Sequence, residues 1–299
     1  MNRGLAVAAF WLLLGGAVGA ETLRIATFNL ENYGRSNRVT SLGFRSDYPK
    51  PEAAKAALRT IIREMKADVV VLQEMGPQQY LDELRRDLRQ EGTDYPHAVL
   101  LQAADEVRHV AVLARRPLAA VTQHTDLKFK YFEDTVAVKR GLLEVKLATP
   151  AGQITLWALH LKSRYTDRPD DLNSARRRAA EATAIRNRIL ERTGDPAEAR
   201  FMIVGDFNDG KTSPALRYMQ RRGKTRIADM LPAADSRGET WTYVYRRDEV
   251  YNRVDHILVS ERLQPAVVGG RAVIHDSPSV RVASDHRPVY ATLDLSGAK

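Results

Sequence analysis

The side chains best able to do chemistry in this chain are oxygen and imidazole donors that follow short apolar runs. In "FMIVGDFND" (201–209), Phe201 to Val204 read as a buried strand, and Asp206, Asn208 and Asp209 come directly after it. The arrangement recurs. Asn29 closes "TLRIATFN", Glu74 closes "DVVVLQE", His160 closes "ITLWALHL", Asp255 opens "DHILVS", and Asp285 with His286 precede "RPVYATLDL". The chain has no cysteine, which excludes disulfides, thiolate metal sites and thiol nucleophiles; a metal here must be held by oxygen or imidazole. A single aspartate or asparagine after a strand is ordinarily a turn former or cap. Six strand ends that each deliver a carboxylate, amide or imidazole point instead to one rim, where strand ends and their loops gather.

The elements that must position these groups are legible from periodicity. In "PEAAKAALRTIIREMK" (51–66), Ala54, Leu58, Ile61, Ile62 and Met65 share one helical face behind Pro51. "PQQYLDELRRDLRQEG" turns Tyr80, Leu81, Leu84 and Leu88 inward and stops at Gly92. "VRHVAVLA" (107–114) and "AVKRGLLEVKL" (137–147) read as strands, a long helix begins near Ser174, and "TSPALRYMQR" carries Pro214 in its first turn. No linker is rich enough in Pro or Gly to split the chain, so the pattern predicts one α/β domain with more strands than a simple doubly wound sheet needs.

Residues 1–20 stand apart. Arg3, the apolar run Leu5 to Val18 and Val18-Gly19-Ala20 form a leader with a small-residue cleavage site. This predicts a signal peptide over 1–20, a mature domain over 21–299, and export to the periplasm or beyond; an uncleaved anchor is the alternative. With 46 Lys and Arg against 37 Asp and Glu, the net charge is +9, and loss of Arg3 with the leader lowers it by one. Such a balance suits an anionic partner such as nucleic acid, anionic lipid or a phosphate ester, and serves solubility equally well.

In order along the chain, "IATFNLEN", "DVVVLQE", "ALHLKS", "VGDFND", "RVDHILVS" and "SDHRPV" resemble the motifs of the endonuclease/exonuclease/phosphatase superfamily. That group includes pancreatic-type deoxyribonuclease, abasic-site nucleases, secreted sphingomyelinases and inositol-polyphosphate phosphatases. The resemblance spans Thr22 to Leu295. It implies a four-layer α/β/β/α sandwich, two mixed sheets packed face to face with helices outside, and metal-assisted hydrolysis of a phosphate ester.

Such a reaction needs a cation to polarise the phosphate, and Mg²⁺ takes oxygen ligands and keeps several waters. By resemblance the metal ligands are Asn29, Glu74 and Asp285, with Mg²⁺ the expected ion and Mn²⁺ or Ca²⁺ as substitutes. Glu74 also has a plainer reading as the cap of the next helix. Asp206 matches the group that orients or deprotonates the attacking water, and Asn208 one that donates to the phosphate or holds Asp206. Asp255 and His286 match a carboxylate–histidine pair, His160 a second imidazole, and Arg140 a phosphate-binding arginine that reads equally as a surface residue. The glutamate that partners the histidine in pancreatic-type deoxyribonuclease has no in-register match in "ADEVRHV".

The substrate is less legible. "KFKY" (128–131) and the arginines of "SRYTDR" and "SARRRAAEATAIRNR" could track a nucleic-acid backbone, although Arg176–Arg178 read more simply as a solvated helix face. The expectation is a monomeric nuclease or phosphodiesterase without a stable protein partner. A phospholipid or sugar-phosphate hydrolase is the alternative, with "DLKFKYFED" a distant candidate for a lipid-entering loop; a non-catalytic binding module ranks last.

Overall fold

The computed structural model describes residues 21–40, 43–166 and 168–296. The expected leader, residues 1–20, lies outside them. Two large sheets form the centre. One runs in the order Ala233–Ala234, Ala272–Ile274, Val289–Asp294, Thr22–Tyr33, Val69–Met75, His109–Ala114, His97–Leu100. The other runs Asp229–Met230, Asp255–Val259, Phe201–Asp206, Gly152–His160, Leu142–Thr149, Leu118–His124. Both mix parallel and antiparallel pairs, as the first sheet does where Thr22–Tyr33 lies parallel to Val69–Met75 and antiparallel to Val289–Asp294.

Strand alternation assigns the faces, because successive side chains point to opposite sides. Ile25, Val69, Val71 and Val112 of the first sheet meet Val145, Ala158, Val204 and Ile257 of the second in one buried core. The intervening residues Phe28, Val70 and Leu72 turn outward against Leu58, Ile61 and Leu84 of helices Glu52–Met65 and Gln78–Gln90. Trp157, Leu159 and Ile203 turn outward against Ile185 and Ile189 of helix Ala175–Thr193 and Leu216 of helix Pro214–Gln220. The result is the expected four-layer sandwich. Helix Pro214–Gln220 opens with a Ser213 side-chain cap, Oγ accepting from Leu216 N at 3.3 Å, and Pro214 follows where its missing N–H is harmless.

Two segments differ from the pattern reading. The stretch 137–147 is not one strand: a turn at Gly141, φ 63°, separates Asp134–Ala137 from Leu142–Thr149 and places Arg140 in the turn. After Tyr33 the chain forms a projecting hairpin, Arg35–Thr40 against Gly43–Pro49, that the sequence pattern did not show because it has no buried face to impose alternation.

Gly205 holds two central strands together. Leu159 and Gly205 are parallel partners, and a Cβ on Gly205, at φ 154°, would sit 2.0 Å from the Leu159 carbonyl oxygen. Gly205→Ala is therefore expected to separate the strands and lower the melting temperature by roughly 10 °C, about 3 kcal/mol at this chain length. Differential scanning calorimetry checks this; an unchanged transition would show that the strands tolerate the methyl group.

Candidate active site

The same alternation that builds the core carries polar side chains to its upper end. Ala158, Val204 and Ile257 face the other sheet, so His160, Asp206 and Asp255, each two residues away, face it too. Register places them side by side: His160 pairs with Asp206, and Asp206 with Asp255. From the opposite sheet, Ile25 points inward and so does Asn29, whose Nδ2 donates to Asp206 Oδ2 at 3.0 Å across the gap. His286, in the loop before Val289–Asp294, closes the row with Nδ1 2.8 Å from Asp255 Oδ2.

These groups are buried, and burial decides their proton affinities. Asp206 is pushed up to about 7, first by desolvation and then by the neighbouring Asp255 charge, against hydrogen bonds from Asn208 and Asn29. For His286 burial works downward, but contact with Asp255 and the charges of Asp206 and Asp285 outweigh it and hold the imidazole well above its ordinary value. His286 is thus an imidazolium with Nε2–H free, 4.0 Å from Asp206 and 3.9 Å from Asp285. His160 goes the other way, lowered by burial and by Arg140, so it is neutral; its Nε2 lies 3.4 Å from Asp206 Oδ2 and its Nδ1 has no partner.

Glu74 sits at a bulge, with φ 57° and a shift in register against Asn29–Tyr33. Bulges re-aim side chains. This one turns Glu74 toward the cleft, with Oε2 accepting from Asn32 N at 3.0 Å. Glu74, Asp285 and Asn29 line one cavity of about 560 Å³ together with Asp206, Asn208 and His286. Glu31 lines it as well, and sequence reasoning missed it. Its pKa is raised by burial and then by Asp285, while that of Asp285 is raised by burial and by Glu74. Carboxylates that repel one another around a cavity, with no thiol present, fit a hard divalent cation. The donor atoms of Asp206, Asp255 and His286 also lie within 4.8 Å of one another. That trio is the poorer cage, because a protonated His286 engaged at Nδ1 has no lone pair to give.

Cations stand close to these carboxylates: Lys50 Nζ is 3.7 Å from Glu31 Oε2, Arg108 Nε is 3.9 Å from Glu74 Oε2, and the charge of Arg246 acts on both Glu31 and Asp285. Lys50 Nζ donates to Glu31 O at 3.1 Å, Arg38 binds the carbonyls of Glu31, Asn32 and Gly34, and Arg108 Nε donates to Asn32 Oδ1 at 2.7 Å. Burial lowers the Lys50 pKa to about 8. Arg38 and Lys50 come from the projecting hairpin and its exit, which no local signal linked to the site.

Asn208 holds Asp206 in place: its N–H donates to Asp206 Oδ1 at 2.7 Å, and its Nδ2 to Asp206 Oδ2 at 3.2 Å and to Leu161 O at 3.0 Å. Arg140 is buried, with Nη1 on Leu161 O at 3.1 Å and Nε 3.2 Å from Asp105, and it does not line the cavity. Asp105 therefore serves Arg140 and leaves His160 without a further carboxylate partner. Tyr243, also unmarked in the sequence reading, packs with its ring tilted 46° against that of His286 at 4.9 Å, and burial with Asp285 pushes its phenol up to about 12. His256 faces the opposite side, as its neighbour's orientation requires, and contacts Asp209 O at 2.9 Å.

Arg178 departs from the solvated-face reading of the run 176–178, which its exposed neighbour Arg176 keeps. It is buried, with Nε on Asp209 Oδ2 at 3.0 Å and Nη1 on the carbonyls of Asn173 at 2.9 Å, Lys162 at 3.2 Å and Ser163 at 3.4 Å. One guanidinium thereby joins the 162–173 loop to the turn that carries Asn208. Only the third arginine of the run does this, because the helix turns it inward beside Glu181 and Ala182.

A model of the Endonuclease/Exonuclease/phosphatase family matches residues 26–286. No curated protein matches the chain in sequence. Among solved structures, sphingomyelinase C from Streptomyces griseocarneus is similar at TM-score 0.60 and 17% identity, over 91% of this chain and 99% of that one. Beta toxin from Staphylococcus aureus, a variant with bound magnesium ions, gives 0.63 and 16% over 91% and 99%. A 3'-5' exonuclease from Neisseria meningitidis gives 0.57 and 16% over 91% and 100%. At these identities the likeness is one of fold.

Two outcomes test the site. Arg178→Ala is expected to lower kcat about 10²-fold by loosening the loop and turn, with partial recovery on adding free guanidinium and none from Arg178→Lys; steady-state kinetics on bis(p-nitrophenyl) phosphate measures both. His256 is held down to about 3 by burial and then by Arg253. Below pH 6.5 the unfolded chain takes up a proton that the folded chain refuses, so stability falls with pH. The stability advantage of the native protein over His256→Gln should shrink by up to about 1.4 kcal/mol per pH unit from pH 6.5 to 5.5, read by urea unfolding.

Proposed function

The chain belongs to the endonuclease/exonuclease/phosphatase family, and from that premise we propose that it is an exported, divalent-metal-dependent phosphodiesterase acting on nucleic acid. The observation that carries the reading is the pairing of Asp206 and His286 at the floor of one cleft. One is a buried carboxylate with raised proton affinity, the other an imidazolium, and they lie 4.0 Å apart beside a ring of carboxylates.

Asn29, Glu74 and Asp285 would hold the metal, with Glu31 alongside; Mg²⁺ suits the oxygen set, and Mn²⁺ or Ca²⁺ would substitute. When bound, the ion supplies Lewis-acid polarisation of the phosphoryl oxygens and charge stabilisation at the leaving oxygen. The rest falls to the chain. Asp206, desolvated and fixed by Asn29 and Asn208, orients the attacking water and takes its proton, a role for which an affinity near neutrality is suited. His286, held in one tautomer by Asp255, donates from Nε2 to the developing phosphorane charge. His160 keeps a neutral ring with an open Nδ1, a hydrogen-bond acceptor behind the reacting group. Arg140 adds positive potential from behind His160 without reaching the cleft.

Nucleic acid is favoured by the basic balance, +9 for the full sequence and one less without the leader's Arg3, and by the cleft lining, where Arg164 sits with the rings of Tyr165, Tyr243 and Tyr245. Cations follow a backbone and aromatic faces stack on bases of any sequence. One observation favours a lipid substrate instead: the projecting hairpin exposes Val39 and Phe44, at 86% and 62%. The hairpin Lys128–Tyr131 with Asp134–Ala137 gives no such support, because Phe129 and Tyr131 are buried toward helix Ala175–Thr193.

Plasmid DNA or RNA should be degraded with Mg²⁺ or Mn²⁺ and protected by EDTA; turnover of sphingomyelin with nucleic acid intact would reverse the choice. Asp206→Ala and His286→Ala should each lower kcat at least ~10²-fold with the fold retained by circular dichroism. Mass spectrometry of the exported product should find Glu21 at its start.

A further inference from the structure

A second cavity, of about 440 Å³, lies beside the catalytic cleft, and one β-ribbon separates the two. The ribbon pairs Tyr243–Tyr245 with Val250–Asn252. Its alternation divides it cleanly. Tyr243, Tyr245, Val250 and Asn252 line the catalytic cleft, whereas Val244 and Tyr251, paired with each other, line the second cavity. The partition is thus a single layer of backbone with side chains on both faces, on the order of 10 Å through.

The far cavity carries charge of its own. Of its four arginines, Arg237 and Arg287 are neutralised by Asp235, Glu239 and Asp276. Arg281 has no carboxylate within ion-pair distance among the described residues, whereas the charge of Arg246 acts on Glu31 and Asp285 of the catalytic cleft. Glu249, at the ribbon's turn, is the opposing charge on the rim. Arg281 is exposed and points from the short helix Val280–Ala283. Arg246 spans from the ribbon to that helix, donating to Arg281 O at 3.1 Å and Ser284 O at 3.0 Å. Ser284 in turn bonds Asn29 O at 2.8 Å, so the cavity wall is continuous with the metal-ligand strand. Tyr251, at 56% exposure, adds an aromatic face.

We propose that this second cavity is a subsite for a single-stranded nucleic-acid segment flanking the cleaved bond, with the exposed Arg281 taking backbone phosphate and Tyr251 a base. The proposal rests on the nucleic-acid reading above and makes it specific: the substrate lies across the Tyr243–Asn252 ribbon, with its backbone reaching both cavities. Short diesters would fill the catalytic cleft alone.

The test is fluorescence anisotropy of labelled dT12 and dT2 in EDTA across a salt series. Arg281→Glu should weaken dT12 binding about 5- to 10-fold, and the slope of log K against log salt should fall by about 0.7 for each phosphate that the protein no longer neutralises. The ratio of dT12 to dT2 affinity should fall with it. Arg222→Glu, a matched charge change on the separate hairpin Arg221–Arg222 with Thr225–Arg226, should leave that ratio in place. Arg281→Gln gives the same reading with a milder change should charge reversal impair folding. An unmoved slope, equal weakening of dT2, or an equal effect from Arg222→Glu would overturn the subsite while dT12 is still cleaved. Failure of the native protein to bind or cleave either oligonucleotide, with another phosphodiester hydrolysed, would overturn both readings together.

Discussion

Asp206 accepts three hydrogen bonds at the point where two hydrophobic sheets stop touching each other, and much of the molecule is arranged around that fact. One of the three comes across the gap from Asn29, so the carboxylate is a pin between the sheets. A buried charge is tolerated only when its lone pairs are met. Asn208, in a left-handed conformation, supplies two of the donors and is fixed in turn by the Leu161 carbonyl. Loosening any of these leaves Asp206 desolvated without partners, which explains why loops as distant as the Arg178-bound segment belong to the same unit.

Around this pin the electrostatics are polarised. On one side stand Asp255 and His286, a pair whose charges cancel through a 2.8 Å hydrogen bond. On the other, Glu31, Glu74 and Asp285 repel one another, and the excess is offset by Lys50 beside Glu31, Arg108 beside Glu74, and the charges of Arg38 and Arg246. Opposed proton affinities in adjacent groups, Asp206 against His286 and neutral His160 against charged His286, separate proton acceptor from proton donor within one small volume.

Substrate-facing features come from the periphery. The Tyr243–Asn252 ribbon packs one ring against His286 and backs a second cavity with its other face, so a single two-stranded element borders both the candidate site and the surface beside it. The Arg35–Pro49 hairpin likewise combines exposed apolar residues Val39 and Phe44 with a base whose cations grip the turn that carries Glu31. Such elements vary more readily than the sheets, because little of the core constrains them.

The sequence by itself determined the layers, the strand ends and most of the candidate site. Alternation is local, so once Val204 faces the core Asp206 must face it as well, and the same rule reaches Asn29, His160 and Asp255. Tertiary structure decided what alternation cannot address. Three consecutive arginines look alike in sequence, and only the helix's docking turns Arg178 onto three loop carbonyls. Glu31, Lys50 and Tyr243 gain their places from a bulge, a hairpin and a ribbon whose positions depend on residues far along the chain. The turn at Gly141 withdrew Arg140 from the cleft for the same reason: a positive φ is set at one residue, but which wall it moves a side chain behind is set by everything packed around it.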